Sequence, residues 1–220
     1  YRRDLFASGL ERCGLTVMSK SIRDPKPGDV LMMWNRNRAM EALAQSFERA
    51  GGKVIVAENG YLPMGREKHF ALSLGHHNGR GRTPIGDEPR FPIEMQPWRT
   101  GGSHILILPQ RGIGSPGVAM PARWQSDVQQ QLRKITKRSI RVRRHPGNRP
   151  SSGSSLEEDL TGAHCAVTWG SGAAIKALVW GVPVFHGLPD WIGKSAAKFI
   201  GAPIAHPYRG DRGDPQHRPR

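Results

Sequence analysis

Cysteine is nearly absent from this chain, with Cys13 and Cys165 the two among 220 residues. Both stand in apolar patterns and read as buried thiols rather than a disulfide, and no Cys/His spacing suits zinc, so no metal is expected. Long hydrophobic runs are missing too. Nothing approaches the ~20 apolar residues of a bilayer span, and no charged-then-apolar signal segment opens the sequence. We therefore expect a chain with no membrane span, working in the cytoplasm. Acid is the third shortage: 18 Asp and Glu stand against 33 Lys and Arg, a formal net charge of +15. A surface this basic gathers polyanions, nucleic acid first and an anionic membrane or polysaccharide second. Residues 208–220, with four Arg and two Asp, read as a disordered basic tail, and the rest stays strongly basic without them.

What is present points to an α/β fold. With 27 Gly and 18 Pro, the chain is rich in short connections between apolar segments. Arg2 to Arg12 has Leu5, Phe6 and Leu10 near helical spacing, with Gly14 as a stop, and Leu15 to Met18 reads as a short strand. Asp29 to Trp34 is a continuous apolar strand of the kind buried on both faces. Asn35 is placed to cap a helix through Ala50, and Lys53 to Ala57 is the next buried strand. Strand, helix, strand in that order implies a right-handed parallel unit. A strand at 68–74 and a long loop over 75–102 complete a first lobe, residues 1–102.

The same alternation restarts at His104 and fills a second lobe, residues 103–207. Its predicted strands are His104–Leu108, Ser139–Arg143, Cys165–Trp169 and Val182–Phe185; its predicted helices are Arg123–Thr136, Leu156–Leu160 and Ala173–Val179. Ligands of open parallel sheets bind beyond the carboxyl ends of the strands, and four loops of this half converge there: Gln110–Gly114, His145–Asn148, Trp169–Ala173 and His186–Asp190. The strand running into Trp169-Gly170-Ser171-Gly172-Ala173 and then into a helix is an anion site, most simply for phosphate. Ser171 has a hydroxyl to donate, and the glycines let a ligand approach the backbone, although Ser171 equally reads as a helix cap. Arg111 with Gly112 forms either an anion nest or a plain tight turn. Lys134, Lys137, Arg138, Arg141 and Arg143, with Arg144 beside them, are either a solvated face or a polyanion track.

Three of these segments carry a family resemblance: His145-Pro146, then Ser155-Leu156-Glu157-Glu158-Asp159-Leu160, then Thr168 through Ala173 to Gly181-Val182-Pro183-Val184-Phe185. Over about residues 104–190 they resemble the donor half of two-domain GT-B glycosyltransferases, closest to the capsular-polysaccharide and sialyltransferase-like groups. The resemblance implies two Rossmann-like lobes with mostly parallel sheets and a nucleotide-sugar donor, such as UDP-glucose, held by the His-Pro and Ser-containing motifs. It also implies that no cofactor or metal is obligatory. The first half matches no acceptor domain clearly. By position, Glu58 after a buried strand and His76 or His77 in the glycine-rich loop are the candidates for a catalytic base. Glu58 also reads as a cap, and the histidine pair as a surface loop.

A donor diphosphate needs only a local basic site, so the remaining charge points to a polyanionic acceptor. The expectation is a hydroxymethylated base in DNA, of the 5-hydroxymethylcytosine type, since the chain's small size and unusual first half resemble phage-encoded DNA glucosyltransferases. Trp34, Tyr61, Trp98 and Trp124 are then possible stacking surfaces, or simply packing. The alternatives are a capsular or lipid-linked saccharide acceptor, and a non-catalytic DNA-binding module on the same core.

Overall fold

The computed structural model describes residues 2–18, 24–62, 69–83, 93–114, 117–145, 147, 153–200 and 207–210. Helix α1 (Arg2–Arg12) stops where Gly14 takes a φ of 78°. No residue of α1 is fully buried, so Cys13 just beyond it is exposed, against the sequence expectation. The expected strand at Leu15–Met18 does not form either, and these residues are irregular. Among the described residues the strand β1 (Val30–Trp34) is a sheet edge that pairs with no segment but β2 (Lys53–Asn59), which leaves Leu15–Met18 without a ladder.

The crossover from β1 to β2 is helix α2 (Arg38–Arg49), and the two strands are parallel as expected. Asn37, not Asn35, caps α2, its side chain accepting from the Met40 N–H at 3.1 Å. Asn35 instead takes a left-handed φ of 55°, which Asn tolerates better than most residues, and ends β1. Arg36, only 7% exposed along its side chain, bonds to both oxygens of Glu41 and both of Glu48, at 2.6–3.0 Å, and to the Gly75 carbonyl at 2.6 Å. One guanidinium thus ties the two ends of α2 to the end of β3 (Phe70–Leu74), which runs antiparallel to β2. Met33, Ala44, Phe47, Val54 and Val56 form the core on the α2 side.

The second sheet is entirely parallel. Its strands are β4 (His104–Leu108), β5 (Ser139–Val142), β6 (Ala163–Thr168), β7 (Val184–His186) and β8 (Lys198–Phe199), in the spatial order β5-β4-β6-β7-β8. Alternation along the strands fills two cores. Ile105, Ile107, Cys165, Val167 and Phe185 point to helix α3 (Trp124–Ile135), which buries Trp124, Val128 and Leu132. Leu106, Leu108, Ala166 and Val184 point the other way, to α4 (Leu156–Leu160) and α5 (Ala173–Val179). Helices therefore cover both faces, as a parallel sheet requires. Helix α4 starts in a capping box: Ser155 Oγ accepts from the Glu158 N–H, and the Glu158 carboxylate accepts from the Ser155 N–H. Burial pushes the Cys165 thiol up to about 12, so it stays protonated in the core.

The described end of the expected long loop, residues 93–102, lies against the second half. Gln96 and Arg99 donate backbone bonds to Val179 and Gly181, strapping residues 93–102 onto the second half, and Trp98 packs on its core. At 208–210 the Arg209 side chain bonds to the Arg99 carbonyl at 2.7 Å, and Trp98 Nε1 to the Gly210 carbonyl at 2.9 Å. Residues 211–220, 84–92 and Pro146 lie outside the described residues. Among the described residues no helix is long and apolar enough to cross a membrane.

Candidate functional site

In a parallel sheet of this order, the connections after β4 and β6 leave in opposite directions, and the crevice between their carboxyl ends is where ligands bind. A cavity of about 450 Å3 opens at that point. Leu108 and Pro109 line it from the end of β4, Arg143, Arg144 and His145 from the end of β5, and Ser171, Gly172 and Ala173 from the end of β6. Its other wall is the first sheet, seen from its own carboxyl ends: Asn35 after β1, and Glu58, Asn59, Gly60 and Tyr61 at the end of β2. Of the residues singled out from sequence, Glu58, Tyr61, Arg143, Arg144, His145, Ser171, Gly172 and Ala173 therefore meet in one space.

Glu58 is held at its rim by two donors. The Tyr61 hydroxyl and the Asn78 N–H, the latter at 2.9 Å, both donate to Oε1, which leaves Oε2 for another donor. Burial pushes the Glu58 carboxyl above its ordinary value, against the pull of these two bonds. Burial and the neighbouring Glu58 push the Tyr61 phenol up as well, so it remains a proton donor.

The opposite wall is cationic. Arg143 pairs with Asp159 at 2.5 Å and bonds to the Ser154 carbonyl, so most of its charge is already engaged. Arg144 and Lys176 line the cavity with no carboxylate in ion-pair distance among the described residues. Lys176 lies one turn after Ala173, on the same helix face. His145 Nδ1 accepts from the Gly147 N–H at 2.9 Å, and partial burial together with Arg111 lowers its ring below the usual histidine value. Ser171 stands just before the N-cap of α5, Gly172: its Oγ accepts from the Ala173 N–H at 3.2 Å, while its own N–H donates to Thr168 Oγ1 at 2.9 Å.

Other expected site residues are placed elsewhere. Trp169 packs edge-on against Trp124 and donates from Nε1 to the Val118 carbonyl at 2.8 Å, and it does not line the cavity. Gly170 is buried where a Cβ would meet Leu188 at 2.8 Å, so its missing side chain serves packing. Its carbonyl accepts from Gln110 Nε2 at 2.9 Å. Arg111 and Gly112 sit outside the lining, Arg111 acting on the site through the field it exerts on His145. His76 and His77 stack with ring centroids 4.5 Å apart behind Glu58 and do not line the cavity. Burial lowers both rings. Of the four aromatics considered for stacking, Tyr61 faces the cavity. Trp34 packs against Phe70 and under Arg2, and Trp98 and Trp124 belong to the second half's cores.

Asn78 escaped the sequence reading. At a left-handed φ of 57°, its Oδ1 accepts from the Gly79 and Ile192 N–H groups at 2.9 and 2.7 Å, and its Nδ2 reaches the Gly170 carbonyl at 3.4 Å. One side chain thus joins the two halves beside the cleft. The signal available was an Asn-Gly pair after two histidines, which reads as an ordinary turn. Lys176 was legible as a residue one turn into the helix that follows the Gly-Ser-Gly loop. No protein-family model matches the chain, and no curated protein is significantly similar to it.

Proposed function

We propose that this chain is a glycosyltransferase of GT-B type, with two Rossmann-like lobes, that moves a sugar from a nucleotide-sugar such as UDP-glucose to the hydroxyl of a hydroxymethylated base in DNA. One observation carries the reading: a half-buried carboxylate, Glu58, with one oxygen left for a further donor, shares a cavity of about 450 Å3 with Arg144, His145, Lys176 and the Ser171–Ala173 turn. That volume is in the range of small-ligand sites. The cationic wall suits a diphosphate and the raised Glu58 suits a general base.

In this mechanism Glu58 Oε2 takes the proton of the acceptor hydroxyl, the oxygen forms its bond to the anomeric carbon, and the bond from that carbon to the diphosphate breaks. The departing negative charge collects on Arg144, Lys176 and His145. Tyr61 keeps Glu58 turned toward the cavity. The polyanionic acceptor rests on the net charge of +15. The test is to incubate the protein with radiolabelled nucleotide-sugars and hydroxymethylated DNA, plain DNA or no acceptor, and to count label in the polymer. Label in hydroxymethylated DNA alone supports the proposal. Salt-sensitive DNA binding without transfer or donor hydrolysis supports a non-catalytic module instead.

A further inference from the structure

Between Asp127 and Glu157 the sequence has no acidic residue, yet it carries Arg133, Lys134, Lys137, Arg138, Arg141, Arg143 and Arg144. The fold carries this run along the outer edge of the second sheet. Lys134 lies in the last turn of α3, Lys137 and Arg138 precede β5, Arg141 lies on it, and Arg143 and Arg144 leave it into the cleft. Because β5 is the outer strand of the five-stranded sheet, no further strand among the described residues covers this edge. Lys134, Lys137, Arg138, Arg141 and Arg144 are exposed. Two side chains are anchored to the frame: Arg143 to Asp159, and Arg138 Nε to the Gly102 carbonyl at 3.0 Å. Arg141 lies close enough to Asp159 to depress its carboxyl, so its charge is partly offset.

Cations on an edge strand also keep it from pairing with other strands, and for that purpose one or two suffice. A row of one sign that begins at the foot of the sheet and ends inside a cavity is arranged for a polyanion lying lengthwise. From Lys137 to Arg144 an extended chain spans roughly 23 Å, a few nucleotides of backbone. Ile135, 62% exposed between Lys134 and Lys137, adds an apolar surface of the kind an unstacked base covers.

We propose that the free edge of β5 is a rail for the phosphates of one nucleic-acid strand, leading a single-stranded or locally opened acceptor into the cleft. A single row of cations follows one backbone, and a base must leave its stack to reach Glu58. The inference rests on the DNA reading above for its choice of partner, and it adds where the partner lies and in what form.

The test measures binding of a fluorescein-labelled single-stranded DNA oligonucleotide by anisotropy across a salt series, with UDP binding measured in parallel by calorimetry. The triple variant Lys134→Gln, Lys137→Gln, Arg141→Gln removes three cations without touching the cavity lining. We expect at least a tenfold loss of DNA affinity and a fall of about 2 in the magnitude of the salt slope, about 0.7 per phosphate contact on a single strand. UDP affinity should not change. Unchanged DNA affinity and slope in the variant, or duplex DNA binding as tightly as the single strand, would overturn the rail. If the triple variant does not fold, judged by circular dichroism, the pair Lys134→Gln, Lys137→Gln, both outside the strand, gives the same reading with a slope change of about 1.4. Failure of the donor reading is separable, because UDP binding would then be lacking in the wild-type protein while DNA binding stayed sensitive to these variants.

Discussion

The backbone N–H of Asn78 donates to Glu58 Oε1 at 2.9 Å, and the Asn78 side chain is bonded at its other end to Ile192 in the second half of the chain. The carboxylate proposed as the base is thus held by the same residue that joins the two halves of the chain. Gly79 next to it passes so close to Asp190 that a Cβ would lie 2.3 Å from the Asp190 carbonyl oxygen, so the joint leaves no room for play.

Replacing Asn78 should loosen that joint. Asn78→Gly keeps access to the φ of 57° but strips the Gly79 and Ile192 N–H groups of their acceptor, and should lower unfolding stability by about 2 kcal/mol. Asn78→Ala adds left-handed strain and should cost about 1 kcal/mol more. Urea unfolding curves check both, and equal stability of the two variants would show that the backbone conformation carries no cost.

Glu58 gives a pH signature. Its folded pKa is raised above 4.5, so it binds its proton more readily folded than unfolded. Its contribution to stability is therefore fully present below about 4.5 and is lost as pH rises through the raised folded value. Glu58→Gln, which cannot ionise, should gain stability relative to wild type as pH climbs through that window. Transfer by the wild-type protein should rise over the same window, because the base must be deprotonated.

The histidines act with the opposite sign. His76 and His77 are lowered below 6.5, so the unfolded chain binds protons that the folded one refuses. Their contribution is present above about 6.5 and falls away as pH drops toward the folded values. The urea midpoint should fall between pH 6.5 and 5 in wild type, and less steeply in a His76→Asn, His77→Asn variant.

Cleft cations and packing residues should separate cleanly. Arg144→Ala and Lys176→Ala should each weaken UDP binding about tenfold, the worth of one charge-assisted contact, with little change in stability. Trp169→Phe deletes the bond to the Val118 carbonyl and should lower stability by about 1 kcal/mol while leaving UDP affinity unchanged. Calorimetry with UDP beside thermal unfolding distinguishes the two classes.

Much of the frame was legible in the sequence because local pattern and tertiary need agree there. The helices expected at Leu156–Leu160 and Ala173–Val179 form with those bounds. Agreement failed where a residue's partner is distant in sequence. Asn35 is a good cap by type, but the turn after β1 takes it into a left-handed conformation and passes the cap to Asn37. Leu15–Met18 has the composition of a strand and pairs with no segment among the described residues. In the site, a Gly-Ser-Gly loop before a helix was readable, but Trp169 and Gly170 serve packing, and the sequence carries no sign of that difference. The link from Asn78 to Ile192 spans 114 residues and leaves no periodic trace.

The most direct test of the account is the rate at which radiolabel passes from UDP-glucose to hydroxymethylated DNA in wild type and in Glu58→Gln, with UDP affinity measured on both. We expect transfer by wild type, a loss of about 100-fold or more in the variant, and matching UDP affinities. Transfer at an equal rate by Glu58→Gln would remove Glu58 as the base. No transfer by the wild-type protein from any nucleotide-sugar, together with no UDP binding in the cleft, would contradict the account as a whole.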